Sequence, residues 1–186
     1  MSFDLEAEIR DLAARRDIAD AVHRYMRGLD RLDAALQRTA FHDDAWIDCG
    51  LMAGDADAFV AFAQDLLAGM EATHHLLGQV RIEVAGEAGP DTATGECYFQ
   101  AWHGTRDATG QPRDLFIAGR YIDEYAYKNG EWRIAKRQLI TDWVKDDPAD
   151  HGFFAANPTT NRAGRRGEDF SETRDWSRRS DREGPK

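Results

Sequence analysis

At 186 residues, 42% of them hydrophobic and 31% charged, the chain is long enough to close one domain around a buried core. Its formal net charge of −10 disfavours nucleic acid and anionic membranes as partners, because both carry dense negative charge. No apolar run approaches the roughly 20 residues of a membrane span. The N-terminal "MSFDLEAEIRDLAARRD" lacks the apolar stretch of a secretory signal, so a cytoplasmic location is expected. Cys49 and Cys97 have no CxxC spacing and read as buried thiols rather than a disulfide framework.

In chain order, Leu5, Ile9 and Leu12 make a short helical stripe. Ile18, Ala21, Val22, Tyr25, Met26 and Leu29 then recur at three- and four-residue steps, one face of a helix. Gly28 is expected to weaken its last turn, and "RLDAALQRTAF" resumes the helical pattern. "AWIDCG" reads as a short strand, and "DADAFVAFAQDLLAGME" returns to helix through Phe59, Phe62, Leu66 and Met70. After Gly78 the period becomes two: Val80, Ile82 and Val84 alternate with polar neighbours, and "AGEAGPDTAT" supplies a turn. "GECYFQAWHG", "LFIAGRYIDEYAY" and "WRIAKRQLITDWV" are three further strands, the last two joined through an Asn-Gly hairpin turn in "KNGEW". Helices first and consecutive antiparallel strands afterwards predict an α+β fold rather than alternating α/β.

A composition shift divides the chain into a body, residues 1–156, and a charged tail, residues 157–186. Asn161–Lys186 carries eight Arg and Lys against six Asp and Glu and few aliphatics, so it cannot build its own core. Either it is flexible, or Phe170 and Trp176 anchor it on the acidic body or on a neighbouring subunit.

"RYMRGLD", residues 24–30, sets Tyr25 beside Val22 and Leu29, and Asp30 four residues past Met26 on the same face. A buried lone carboxylate costs several kcal/mol unless it is paired, so about two readings compete. In one, Asp30 caps a helix beginning at Arg31 and Tyr25 is a core aromatic with a wet tip. In the other, Asp30 has a buried partner. Candidates for that partner stand in "ATHHLLGQVRIEV", a histidine pair at the junction of the long helix and the first long strand. Adjacent side chains diverge by about 100° on a helix and point oppositely on a strand, so only one of the two can face a pocket. No HxH, HxxxH or HExxH spacing occurs, which speaks against a metal site.

Helices, a short strand, a helix ending in "HH", then strands containing "GRYIDEYAYKNGEWRIAKRQLITDW" resemble the SnoaL-like, scytalone-dehydratase-like branch of the nuclear-transport-factor-two-like superfamily, over roughly residues 8 to 145. The resemblance implies a cone-shaped α+β barrel (cystatin-like), in which a strongly curved antiparallel sheet wraps a helix and leaves a deep pocket at one end. Tyr25 and Asp30 stand at the spacing of bile-acid-dehydratase-like members. His75 stands where those members and the hexachlorocyclohexane dehydrochlorinase have their catalytic histidine, and Arg137 where dehydrochlorinase-like members place a pocket arginine. These members use neither metal nor organic cofactor.

The chemistry so implied is removal of a carbon-bound proton followed by loss of a leaving group. His75 would be the base, Asp30 would hold its ring, and Tyr25 would donate a hydrogen bond to substrate oxygen. The leading expectation is a dehydratase eliminating water from a hydroxylated aromatic or polycyclic compound. Trp46, Phe99, Trp102, Phe116, Tyr121 and Trp143 lie on strands that line the cone in this fold and are expected in the pocket wall. His103, just before the turn-rich residues 104–114, is a lesser candidate. The same residues would serve a carbon–carbon lyase losing formaldehyde, a dehydrohalogenase or an isomerase. The same cone also occurs as a non-catalytic binding module or structural subunit. Dimers or trimers are expected, since the outer sheet face in this fold usually needs cover.

Overall fold

The computed structural model describes residues 4–84, 91–150 and 152–177. Two helices come first, α1 (Leu5–Arg31) and α2 (Ala34–Arg38), then strands β1 (Phe41–Asp48) and β2 (Ala53–Asp55) and helix α3 (Ala56–Ala68). Four long strands follow: β3 (Ala72–Val84), β4 (Thr92–Arg106), β5 (Pro112–Lys128) and β6 (Glu131–Pro148). Two short helices, α4 (Gly152–Ala156) and α5 (Phe170–Thr173), lie in the C-terminal segment. The fold is α+β, as expected, with the helices packed on a curved six-stranded sheet of order β2-β1-β6-β5-β4-β3.

One pair departs from the antiparallel expectation: β1 runs parallel to β6, with Trp46 opposite Lys136. The sheet is therefore mixed. Register shifts between Phe41 and Trp46, Leu77 and Val80, Ala118 and Gly119, and Glu124 and Tyr125 add local twist that bends the strands around α1. The turn expected at 85–94 falls largely outside the described residues. The expected 104–114 loop shrinks to a tight hairpin, in which Asp107 accepts from the backbone of Thr109 and Gln111.

Helix α1 is longer than its apolar pattern suggests. Asp4 caps it, and it runs unbroken from the Leu5, Ile9, Leu12 stripe, which stays exposed, to Arg31. Gly28 does not end it. A Cβ there would sit 2.6 Å from the Cβ of Gln37, so glycine permits α2 to fold back against α1. The helix stops where Leu32 turns left-handed at φ 51°, and Asp33, not Asp30, caps α2. Asp30 is thereby left inside the helix with its side chain turned toward the sheet.

Ile18, Val22, Tyr25, Met26 and Leu29 of α1 are buried against Ile47, Cys97, Phe99, Tyr121 and Ile134 of the strands. Cys97 is buried and Cys49 half-buried, both as free thiols. Among the described residues no helix is long and apolar enough to cross a membrane.

Candidate active site

The histidine pair lies inside β3 rather than at its junction with the helix, so the two side chains take opposite faces. His75 turns inward and meets Asp30: its Nδ1 lies 2.7 Å from Oδ1, and its backbone N–H donates to Oδ2 at 2.9 Å. Thr73, two residues earlier on the same face, donates its hydroxyl to Oδ1 at 3.0 Å. Asp30 thus accepts three hydrogen bonds from one stretch of strand. Burial pushes its carboxyl up, but the bonds from the His75 ring and backbone and from Thr73 outweigh burial and hold it below the ordinary carboxylate value. An ionised Asp30 can only accept, so Nδ1 carries a proton, and in the neutral ring the lone pair is then on Nε2.

His75 faces a cavity of about 400 Å³ lined by α1, α3, the β1–β2 turn and strands β3 to β6. Leu29, Phe59, Leu67, Phe99, Ile117 and Leu139 give it an apolar wall. Tyr25, Tyr121 and His103 add polar groups to that wall. A cavity of this size and composition suits a compact hydrophobic molecule with few polar atoms. His103 packs edge-to-face on His75, ring centroids 5.4 Å apart, with its Nδ1 3.3 Å from the carbonyl of Leu115. Burial, then the neighbouring His75 ring, lowers its pKa to about 4, so it is neutral at physiological pH.

Tyr25 and Tyr121 hydrogen-bond to each other, their rings edge-on at 5.5 Å. Burial raises the pKa of both hydroxyls, while the Arg137 cation opposes that rise. Arg137, expected as a pocket arginine, points from β6 into the core. It is fully buried, with its guanidinium 4.3 Å from the Tyr25 ring centroid and 4.1 Å from that of Tyr121. Asp123 accepts from its Nε and Nη2, both at 2.7 Å, and also from the Tyr125 hydroxyl at 2.7 Å. Arg137 therefore stands behind the two tyrosine rings and does not line the cavity.

Of the six aromatics expected in the pocket wall, Phe99 and Tyr121 line the cavity, and Trp46, Trp102, Phe116 and Trp143 do not. The reason is strand alternation. Trp102 falls between the inward Ala101 and His103, and its indole N–H donates to Asp114 at 2.8 Å. Phe116 precedes the inward Ile117, and Trp46 precedes the buried Ile47. Trp46 lines a groove on the opposite sheet face with Ile122 and Lys136. Trp143, between Thr141 and Val144 of the lining, is itself exposed. The same alternation, Phe99, Ala101, His103, could have promoted His103 from lesser candidate to cavity residue. Thr73 and Asp123 carried no recognisable signal. Among the described residues, no three His, Cys, Asp or Glu side chains are grouped to hold a metal.

Residues 10–138 match the model of the SnoaL-like domain. The chain belongs to this family. Among solved structures, a type 2 hexachlorocyclohexane dehydrochlorinase is 20% identical to this SnoaL-like protein and superposes with a TM-score of 0.68, over 77% of this chain and 95% of the other. A provisionally assigned scytalone dehydratase from Novosphingobium aromaticivorans is 20% identical, with a TM-score of 0.63 over 75% and 91% of the two chains. A cystatin-like-fold protein of unknown function from Nostoc punctiforme is 18% identical, with a TM-score of 0.56 over 69% and 90%. No curated protein matches the chain significantly. At these identities the likeness establishes the fold, which agrees with the SnoaL-like assignment.

Proposed function

We propose that this SnoaL-like protein is a cofactor-independent lyase that eliminates water from a hydroxylated aromatic or polycyclic small molecule. The observation carrying this reading is the His75 ring, bonded to Asp30 at 2.7 Å through one nitrogen and opening on an apolar cavity. Nε2 of His75 takes a proton from a substrate carbon next to a carbonyl or aromatic ring. Asp30 keeps the ring in the reactive tautomer and stabilises the imidazolium that forms. Tyr25 donates its hydroxyl hydrogen to the substrate oxygen on which charge develops, and Arg137 behind its ring favours that donation. The C–H electron pair becomes the new double bond, the C–O bond breaks, and the proton held on His75 leaves with the hydroxide as water.

Two structurally similar proteins named above are consistent with this class, one described as a dehydrochlorinase and one provisionally assigned as a scytalone dehydratase. We further infer a homo-oligomer, a dimer or trimer, because Trp46, Tyr98 and Ile122 leave apolar surface exposed on the outer sheet face. The deciding experiment is a mass-spectrometric screen of EDTA-treated protein against hydroxylated aromatics and polycyclics, with His75→Ala as control. A product lighter by water, made by wild type alone, supports the dehydratase. Loss of formaldehyde would transfer the same residues to carbon–carbon cleavage. Activity that survives His75→Ala would remove the proposed base, and binding without turnover would favour a binding module.

A further inference from the structure

The C-terminal segment lies beyond the family match, yet it reaches the back of the candidate site. Residues 164–169 form a tight turn closed by the Gly164 N–H, which donates to Asp169 Oδ2 at 2.8 Å. A Cβ on Gly164 would come within 2.6 Å of the Glu168 carbonyl oxygen, so the turn requires glycine. Arg31, the residue after Asp30, grips this turn by donating to the Gly164 carbonyl at 2.8 Å and to Asp169 at 2.9 Å. The Arg166 N–H donates back to the Arg31 carbonyl at 2.7 Å.

That grip delivers Arg165 inward. Its Nη1 donates to the carbonyls of Leu67 and Met70 at 3.1 and 3.0 Å, and its Nη2 to Thr73 Oγ at 3.0 Å. A guanidinium only donates, so Thr73 must accept from Arg165, and its single hydroxyl hydrogen is left for Asp30. The chain of bonds runs from Arg165 through Thr73 and Asp30 to His75 without a gap.

We propose that Arg165 is a positioning residue: it orients the Thr73 hydroxyl at Asp30, and through that carboxylate it fixes the His75 base. This rests on the lyase reading for its catalytic meaning, but the coupling itself is independent of any substrate. Arg165 also places a cation close to the Asp30 carboxylate, and that carboxylate is bonded to the His75 ring. Removing that cation leaves the bonded pair in more negative surroundings, which favour uptake of a proton. The other groups facing the pair are Tyr25 and His103 in the cavity, and His23, Arg27, Arg31, His74 and Asp169 in the groove behind.

The test is a nuclear magnetic resonance titration of the His75 imidazole in the full chain, with steady-state kinetics beside it. Arg165→Gln is expected to raise the His75 midpoint by about half a pH unit or more. Its kcat should fall about tenfold with KM nearly unchanged. Arg165→Lys, which retains the charge, should restore most of the midpoint. In a Thr73→Val background the Arg165→Gln step should cost little further kcat. Arg162→Gln removes a different tail contact, the cation 4.3 Å from the Phe154 ring, and should leave the midpoint unchanged. A wild-type midpoint in Arg165→Gln overturns the proposal, and so does an equal shift in Arg162→Gln, which would mean general loosening of the tail. If the midpoint moves but His75→Ala remains active, the coupling stands and the lyase reading falls.

Discussion

His103 makes the acid stability of this protein calculable. An exposed histidine titrates near 6.5, and in the fold His103 titrates at about 4, because burial disfavours its charged form. Between those values the unfolded chain takes up a proton that the native state refuses. Stability is therefore complete above the unfolded value and declines as pH falls toward the folded one. At about 1.4 kcal/mol per pH unit the full loss is roughly 3 kcal/mol, of which about 2 kcal/mol falls between pH 7 and pH 4.5. The perturbation that isolates it is His103→Asn, whose amide can still donate to the Leu115 carbonyl but cannot titrate. Urea unfolding of both proteins at pH 7, 5.5 and 4.5 gives the two slopes. The wild-type free energy should fall by about 2 kcal/mol more than that of the variant over this range. Parallel slopes would mean that His103 accepts its proton without cost and that the cavity around it is wet.

Three further outcomes follow from the buried contacts. Asp30→Asn puts an amide against Nδ1 of His75 and allows the wrong tautomer, so kcat should fall by about 10²–10⁴ with KM little changed, read by initial rates once a substrate is in hand. Asp123→Asn leaves the Arg137 charge buried between two tyrosine rings without its counter-ion, and should cost about 3–5 kcal/mol in chemical denaturation. Gly28→Ala drives a methyl to within 2.7 Å of the Gln37 backbone and should lower stability by about 1–3 kcal/mol, seen as a drop in thermal midpoint.

Much of the architecture was legible because it is periodic. The α1 stripe from Ile18 to Leu29 and the alternation in β3 each declared a face, and the Asn129-Gly130 turn announced the β5–β6 hairpin. What stayed hidden depends on single-residue offsets. From that turn Lys128 faces Glu131, and an unbroken ladder would pair Asp123 with Lys136; the bulge between Glu124 and Tyr125 pairs it with Arg137 instead. No local pattern marks that bulge, so the pairing of Arg137 with Asp123, away from the cavity, could not be read from the strand itself. The same offset logic misplaced Trp46, Trp102, Phe116 and Trp143, since knowing which strands line a cavity does not say which parity faces it. Asp30 was undecided between capping and a buried bond because the extent of α1 depends on Gln37 packing against Gly28, a tertiary contact. Arg165 lies 92 residues from Thr73, and nothing in its mixed-charge surroundings distinguishes it.

The parallel pairing of β1 with β6 has a consequence for the order in which the molecule assembles. Strand β6 is the last of the sheet in the chain, yet it sits between β1 and β5. Until residues 131–148 have emerged from the ribosome, β1 has no long neighbour, β5 presents an open edge, and Asp123 waits without Arg137. A nascent chain can then form α1 and the β3–β4–β5 meander, but it cannot close the cavity. Such long-range closure slows folding and exposes strand edges in the interval. This protein should therefore depend on chaperones more during synthesis than its native stability would suggest, and truncations within β6 should aggregate rather than merely lose activity.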